Sequence, residues 1–156
     1  MAKSWKVDNL NTEKKFSVCA KKIVTTRIRE MFSYEQTTRE GIDIEAVHDM
    51  RVSARRLQTA LKLSSGIFPQ KKFRVYSSSV KSLLSVLGSV REKDVFIAML
   101  EKYSSQIDTN ERRALDWLLA RQKALNISRR KQLIKQLDSL AQQNFRESFE
   151  RFIEQS

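Results

Sequence analysis

The stretch EAVHDMRVSARRLQTALKL, residues 45–63, decides the fold. Val47, Met50, Ala54, Leu57 and Leu61 recur in it at offsets of three and four, the stripe of a helix with one buried face. His48, Arg51, Arg55 and Lys62 recur one position later. At ~100° per residue these four fall within roughly 60° of one another, along about four turns. The cationic row therefore borders the apolar stripe instead of lying opposite it, where long basic side chains normally go. Asp43 is placed to cap this helix and Glu45 suits the positive end of its dipole, while Ser64-Ser65-Gly66, with Pro69 beyond, marks its end.

The next segment repeats the pattern. Phe73, Tyr76, Val80, Leu83, Leu84 and Leu87 predict a helix from about Gln70 to Leu87, with Arg74, Lys81 and Gly88 along one edge. Two helices that each carry cations beside a buried stripe can face one another across a groove. Gly88 is expected to end this helix, and to let a second group come close. A shorter helix then covers Val90–Ser104, with Val95, Phe96, Met99, Leu100 and Tyr103 turned inward.

Upstream, residues 1–10 read as a loose arm. Asn11 or Thr12 caps a helix to about Tyr34, faced by Phe16, Ala20, Ile23, Val24 and Met31, with the Arg27 stem along the core edge. Gln36–Asp43 reads as a loop. Downstream, Asp108-Thr109-Asn110-Glu111 has capping-box spacing and opens one long helix over about 109–138. Gln122 and Arg129 fall inside its apolar phase, which makes Arg129 a candidate for the same groove. A last helix from Asp138 or Ser139 carries Phe145, Phe149, Phe152 and Ile153.

With 3 Gly and 1 Pro in 156 residues, a fold of many tight turns is excluded. The expectation is all-α: one antiparallel bundle of about five or six helices, forming a single domain over residues 11–154. One cysteine, Cys19, leaves no intrachain disulfide and no cysteine-based zinc site. No apolar run approaches the ~20 residues of a membrane span, and MAKSWKVDNLN lacks a signal-peptide core, so a cytoplasmic protein is expected. The net charge of +12 favours polyanions: nucleic acid, anionic lipid or polyphosphate.

No P-loop, dinucleotide fingerprint or nucleophile elbow is present. Glu92 and Asp94 are the only close acids at a plausible site. Catalytic residues, metal ligands and cofactors are therefore all expected to be absent. Binding is what the residues support: arginine forks match phosphate oxygens, and a bound polyanion would favour the doubly protonated His48, in which both ring nitrogens donate.

HDMRVSARRL at 48–57, followed about 30 residues later by LGSVREKDV at 87–95, resembles the CHAD family, the conserved histidine α-helical domain. The resemblance implies a helical bundle that binds inorganic polyphosphate in a basic groove, without catalysis of its own, and that in some members associates with polyphosphate granules. By position, His48, Arg51, Arg55 and Arg56 match the first motif, and Lys81, Arg91 and Asp94 lie in or near the second. The expected polyphosphate ligands are His48, Arg51, Arg55, Lys62, Arg74, Lys81, Arg91 and Arg129. Arg56 points about 100° from Arg55 and is expected to leave the groove and either pair with an acid elsewhere or contact a neighbouring helix. The chain departs from the family in having one histidine and about half the usual two-bundle length. Gln58 stands where an arginine is common, and Glu92 where an aspartate is. The length alone motivates an expected homodimer. The competing readings are a nucleic-acid-binding helical protein and a metal-dependent enzyme acting on phosphate chains.

Overall fold

A computed structural model of the protein describes residues 3–11, 13–107 and 109–156, with backbone only at 109–111. Six helices form an all-α bundle: α1 Phe16–Ser33, α2 Glu35–Glu40, α3 Ile44–Leu63, α4 Gln70–Ser104, α5 Thr109–Gln142 and α6 Phe145–Gln155. In space α1 packs on α3, α3 on α4 and α4 on α5, while α6 closes the bundle against α1 and α5.

The central helix forms as its sequence dictates. The Asp43 carboxylate accepts from the Glu45 amide at 2.8 Å, and Val47, Met50, Ala54, Leu57 and Leu61 are all buried. They meet Val24, Ile28 and Met31 of α1 and Val80, Leu83 and Leu87 of α4 in one core. The three-turn helix α6 adds a ring cluster: Tyr76 of α4 stacks on Phe149 with centroids 4.4 Å apart, and Phe145 and Phe152 flank it.

Four boundaries differ from the sequence reading. α1 starts at Phe16 with Lys15 as its N-cap and no side-chain cap bond, so Asn11 does not cap it; Thr12 lies outside the described residues. Phe16 itself is exposed instead of core-facing. The expected loop after Tyr34 holds α2, which ends at Gly41 in the left-handed region, φ 66°. There the Gly41 amide bonds the Thr37 carbonyl, a conformation that glycine adopts without penalty.

Gly88 does not end a helix. The chain runs on as one α-helix of 35 residues. An internal glycine costs about 1 kcal/mol against alanine, too little to break a helix packed on both α3 and α5. The turn before α6 comes at Asn144, φ 45°, later than the expected Asp138 or Ser139. Leu140 is still buried, so α5 keeps its packing for another turn, and asparagine is one of the few residues that tolerate the left-handed region. The expected cap at Asp108 lies outside the described residues.

A candidate anion-binding face on the third and fourth helices

α3 and α4 run antiparallel, and their contact brings cations from both helices to one seam. Lys62 and Lys81 line a hollow of about 390 Å³, together with Gln58, Ser65, Ser77 and Ser78. Leu61 and Phe73 form its floor. Farther along the seam, Arg51 crosses α4 at Gly88: a Cβ built on Gly88 would lie 3.5 Å from Arg51 Nε. A Cβ there would make only an ordinary contact, so the glycine leaves room beside the guanidinium without being required for it. Arg51 Nε and Ser77 Oγ are both buried, and among the described residues neither has a hydrogen-bond partner. A buried donor left unpaired costs about 1–3 kcal/mol, so these atoms mark the seam as a place where an acceptor would be stabilised. His48 is half-buried one turn from Arg51. Arg74 is exposed two turns before Lys81, on the same face of α4.

The other expected ligands are placed differently. Arg55 is exposed and does not join this hollow. It lines a second one, of about 420 Å³, on the α1 side, with Ile23, Arg27, Val52, Arg56 and Leu63 among its neighbours. The 40° between Arg51 and Arg55 on a helix wheel is enough to put them on opposite flanks of the same ridge. Arg56 shares that second hollow with Arg55, contrary to the expectation that the two would be separated. Its guanidinium is nonetheless held by an acid, Nη1 donating to Glu30 Oε1 at 2.7 Å.

Arg91 is engaged with the start of α3, where Nη1 donates to Glu45 Oε1 at 3.0 Å. Nη1 is committed there, so a phosphate would be met by the other donors of its fork. Arg129 reaches α4 from the opposite side, Nη1 donating to the Ser89 carbonyl at 3.1 Å. Arg51 and Arg129 thus approach α4 from α3 and α5 at consecutive residues.

Three residues that organise this region were not singled out by the sequence. Glu30 is fully buried and takes both Arg27 Nη1 and Arg56 Nη1. Arg130 places Nη2 at 2.9 Å from both oxygens of Asp94, and Asn126 Nδ2 donates to Asp94 at 2.7 Å. The second-motif aspartate is therefore a buried tie between α4 and α5. Asn126 falls in the apolar phase of α5, which was a signal; Glu30 sits one residue before Met31 and gave none beyond its spacing from Arg27.

These are the features of a basic all-helical protein whose two motif segments lie on adjacent helices. The sequence matches the CHAD domain family over residues 22–156, and the chain belongs to that family. CHAD domains are associated with polyphosphate binding. A search of curated proteins finds no matching relative. Among the described residues no helix is long and apolar enough to cross a membrane.

Proposed function

We propose that this chain is a non-catalytic binding module for inorganic polyphosphate, with its site on the α3–α4 seam. The observation that carries the reading is the pair of unpartnered buried atoms, Arg51 Nε and Ser77 Oγ, in line with Lys62 and Lys81. A flexible chain of phosphates offers an acceptor oxygen to each in turn, and the guanidinium can bind two at once. His48 and Arg74 extend the same line. Arg91 and Arg129 stand at its far end as reserves, already bonded to protein.

Nucleic acid is disfavoured by where the rings are. Readers of single strands stack bases on exposed aromatics. Here Phe68, Phe73, Phe145, Phe149 and Phe152 are buried, and the exposed Trp5, Phe16, Tyr103 and Trp117 do not line the hollow. Hydrolysis of phosphate chains would recruit carboxylates, and both oxygens of Asp94 are already taken by Arg130. In this reading the protein works in the cytoplasm, on polyphosphate granules where these form, and a second copy doubles the basic surface offered to one chain.

Competition at fixed salt between long-chain polyphosphate and an oligonucleotide of equal charge tests the assignment. Polyphosphate displacing the oligonucleotide is the expected result, with Arg51→Ala and Lys81→Ala each reducing its affinity. Equal competition would favour a general polyanion binder. Release of orthophosphate with magnesium or manganese, lost in Glu92→Gln, would make the protein an enzyme.

A further inference from the structure

The cations of the α3–α4 seam come in two groups, not in one row. The first is the hollow of about 390 Å³, which Lys62 and Lys81 line together with Ser65, Ser77 and Ser78. The second is Arg51 beside Gly88, with His48 one turn away. Each group holds a buried polar atom that has no partner among the described residues: Ser77 Oγ in the first and Arg51 Nε in the second. Gln58, which also lines the hollow, is seven residues from Arg51, and Lys81 is seven from Gly88. On both helices the groups therefore lie about 10 Å apart.

The interval between them carries no charge. Ala54 and Leu57 of α3 are buried there. Leu84 of α4 packs against the core, and Ser85 beside it is exposed. Arg55 and Arg56, at this level of α3, line the hollow on the α1 side instead. A continuous cationic row would add one contact per phosphate, and affinity would grow smoothly with chain length. Two groups with a neutral gap give a step.

We infer that the seam selects polyphosphate by length, as two anchors that only a sufficiently long chain engages together. The inference rests on the α3–α4 seam being the polyphosphate site, and it names the class of chain that the site takes. At about 3 Å per P–O–P link, a chain of about six to eight phosphates crosses the 10 Å gap and leaves an anionic oxygen at each end. Orthophosphate, pyrophosphate and tripolyphosphate stop at one group. The hollow is where they sit, since two ammonium groups and three serine hydroxyls line it. A longer chain held in the hollow keeps its free end near Arg51 at an effective concentration of about millimolar, which raises affinity without any new contact in the hollow.

Isothermal titration calorimetry of the full chain tests this, with tripolyphosphate and with chains of about 8 and about 14 phosphates, at one low salt concentration and without divalent cations. A single anchor gives at most a roughly sixfold gain from tripolyphosphate to the 8-phosphate chain, from the added registers alone, whereas two anchors are expected to give about fiftyfold or more. From 8 to 14 phosphates the gain should return to the number of registers. Arg51→Ala should remove the step, weakening both longer chains about tenfold and leaving tripolyphosphate unchanged. Arg51→Gln, which keeps most of the stem beside Gly88, should do the same. Lys81→Ala should weaken every length. A gain no larger than the number of registers would overturn the length selection while leaving the polyphosphate site standing. So would an Arg51→Ala loss as large for tripolyphosphate as for the longer chains. Binding of no chain at all, or no loss in either Arg51→Ala or Lys81→Ala, would remove the site itself and the inference with it.

Discussion

The outward face of α4 changes character along its length. Before Arg91 it carries Arg74 and Lys81 beside the α3 seam; after Asp94 it carries Val95, Met99 and Tyr103 in the open. The same helix, with the same periodicity, meets two different surroundings. In the first part the neighbouring helix buries the apolar stripe and leaves cations at its rim. In the second, among the described residues, no third helix covers the stripe, which stays exposed. Phase on one helix says which side chains share a face, and only packing says what that face meets.

The boundary between the two parts is Asp94, and breaking it is expected to have the largest effect. Its carboxylate is 3% exposed and holds both Arg130 and Asn126. Asp94→Ala leaves a partly buried guanidinium unpaired, at a cost of about 3 kcal/mol, taken at the low end because Arg130 retains some contact with water. Urea unfolding at neutral pH measures it. A loss below about 1 kcal/mol would mean that the leucines of α5 alone hold the hairpin to the bundle.

Salt tests the cationic part next. If the cationic seam binds through four phosphate contacts, a slope of about −0.7 per contact predicts roughly a fiftyfold loss of polyphosphate affinity between about 50 and 200 mM salt. Titrating fluorescently labelled polyphosphate at several salt concentrations gives the slope, and a flat response would remove the case for the cationic seam.

Within the cationic part, the two sides of α3 should differ. Arg51→Ala removes a donor already poised over Gly88 and is expected to cost about 1–3 kcal/mol of polyphosphate affinity. Arg55→Ala, on the α1 side, should cost less than half as much. Equal losses would show that the ridge between the two hollows is no divider and that the chain of phosphates wraps over it.

The all-helical class, the central helix with its Asp43 cap and the motif pair were legible because each is written in local periodicity and capping chemistry. That Arg56 lies off the Arg51 line was also legible, since five residues put it about 140° away on a helix wheel, but its sharing of a hollow with Arg55 was not. What the sequence could not convey depended on tertiary partners. Arg91 finds Glu45 from 46 residues away, and Asp94 finds Arg130 from 36. Nothing in the local pattern distinguishes such an arginine from one that waits for a ligand. The split between Arg51 and Arg55 was hidden for a related reason. Both lie near the edge of the same stripe, and it takes the positions of α1 and α4 to decide which edge each belongs to.

Gly88 gives the smallest effect and the sharpest discrimination. A glycine in the middle of a long helix costs about 1 kcal/mol against alanine, so Gly88→Ala should raise stability by up to about that amount. The added Cβ would meet Arg51 Nε at 3.5 Å, an ordinary contact that requires no rearrangement. Polyphosphate affinity should therefore hold in Gly88→Ala while the melting temperature rises by a few degrees. Gly88→Leu is different: its branched end would occupy the space where the guanidinium lies, displace Arg51 from the seam, and lower affinity as far as Arg51→Ala does. If Gly88→Leu binds as well as the native chain, Arg51 does not act from its place over Gly88, and the phosphates are held by the Lys62–Lys81 hollow without it.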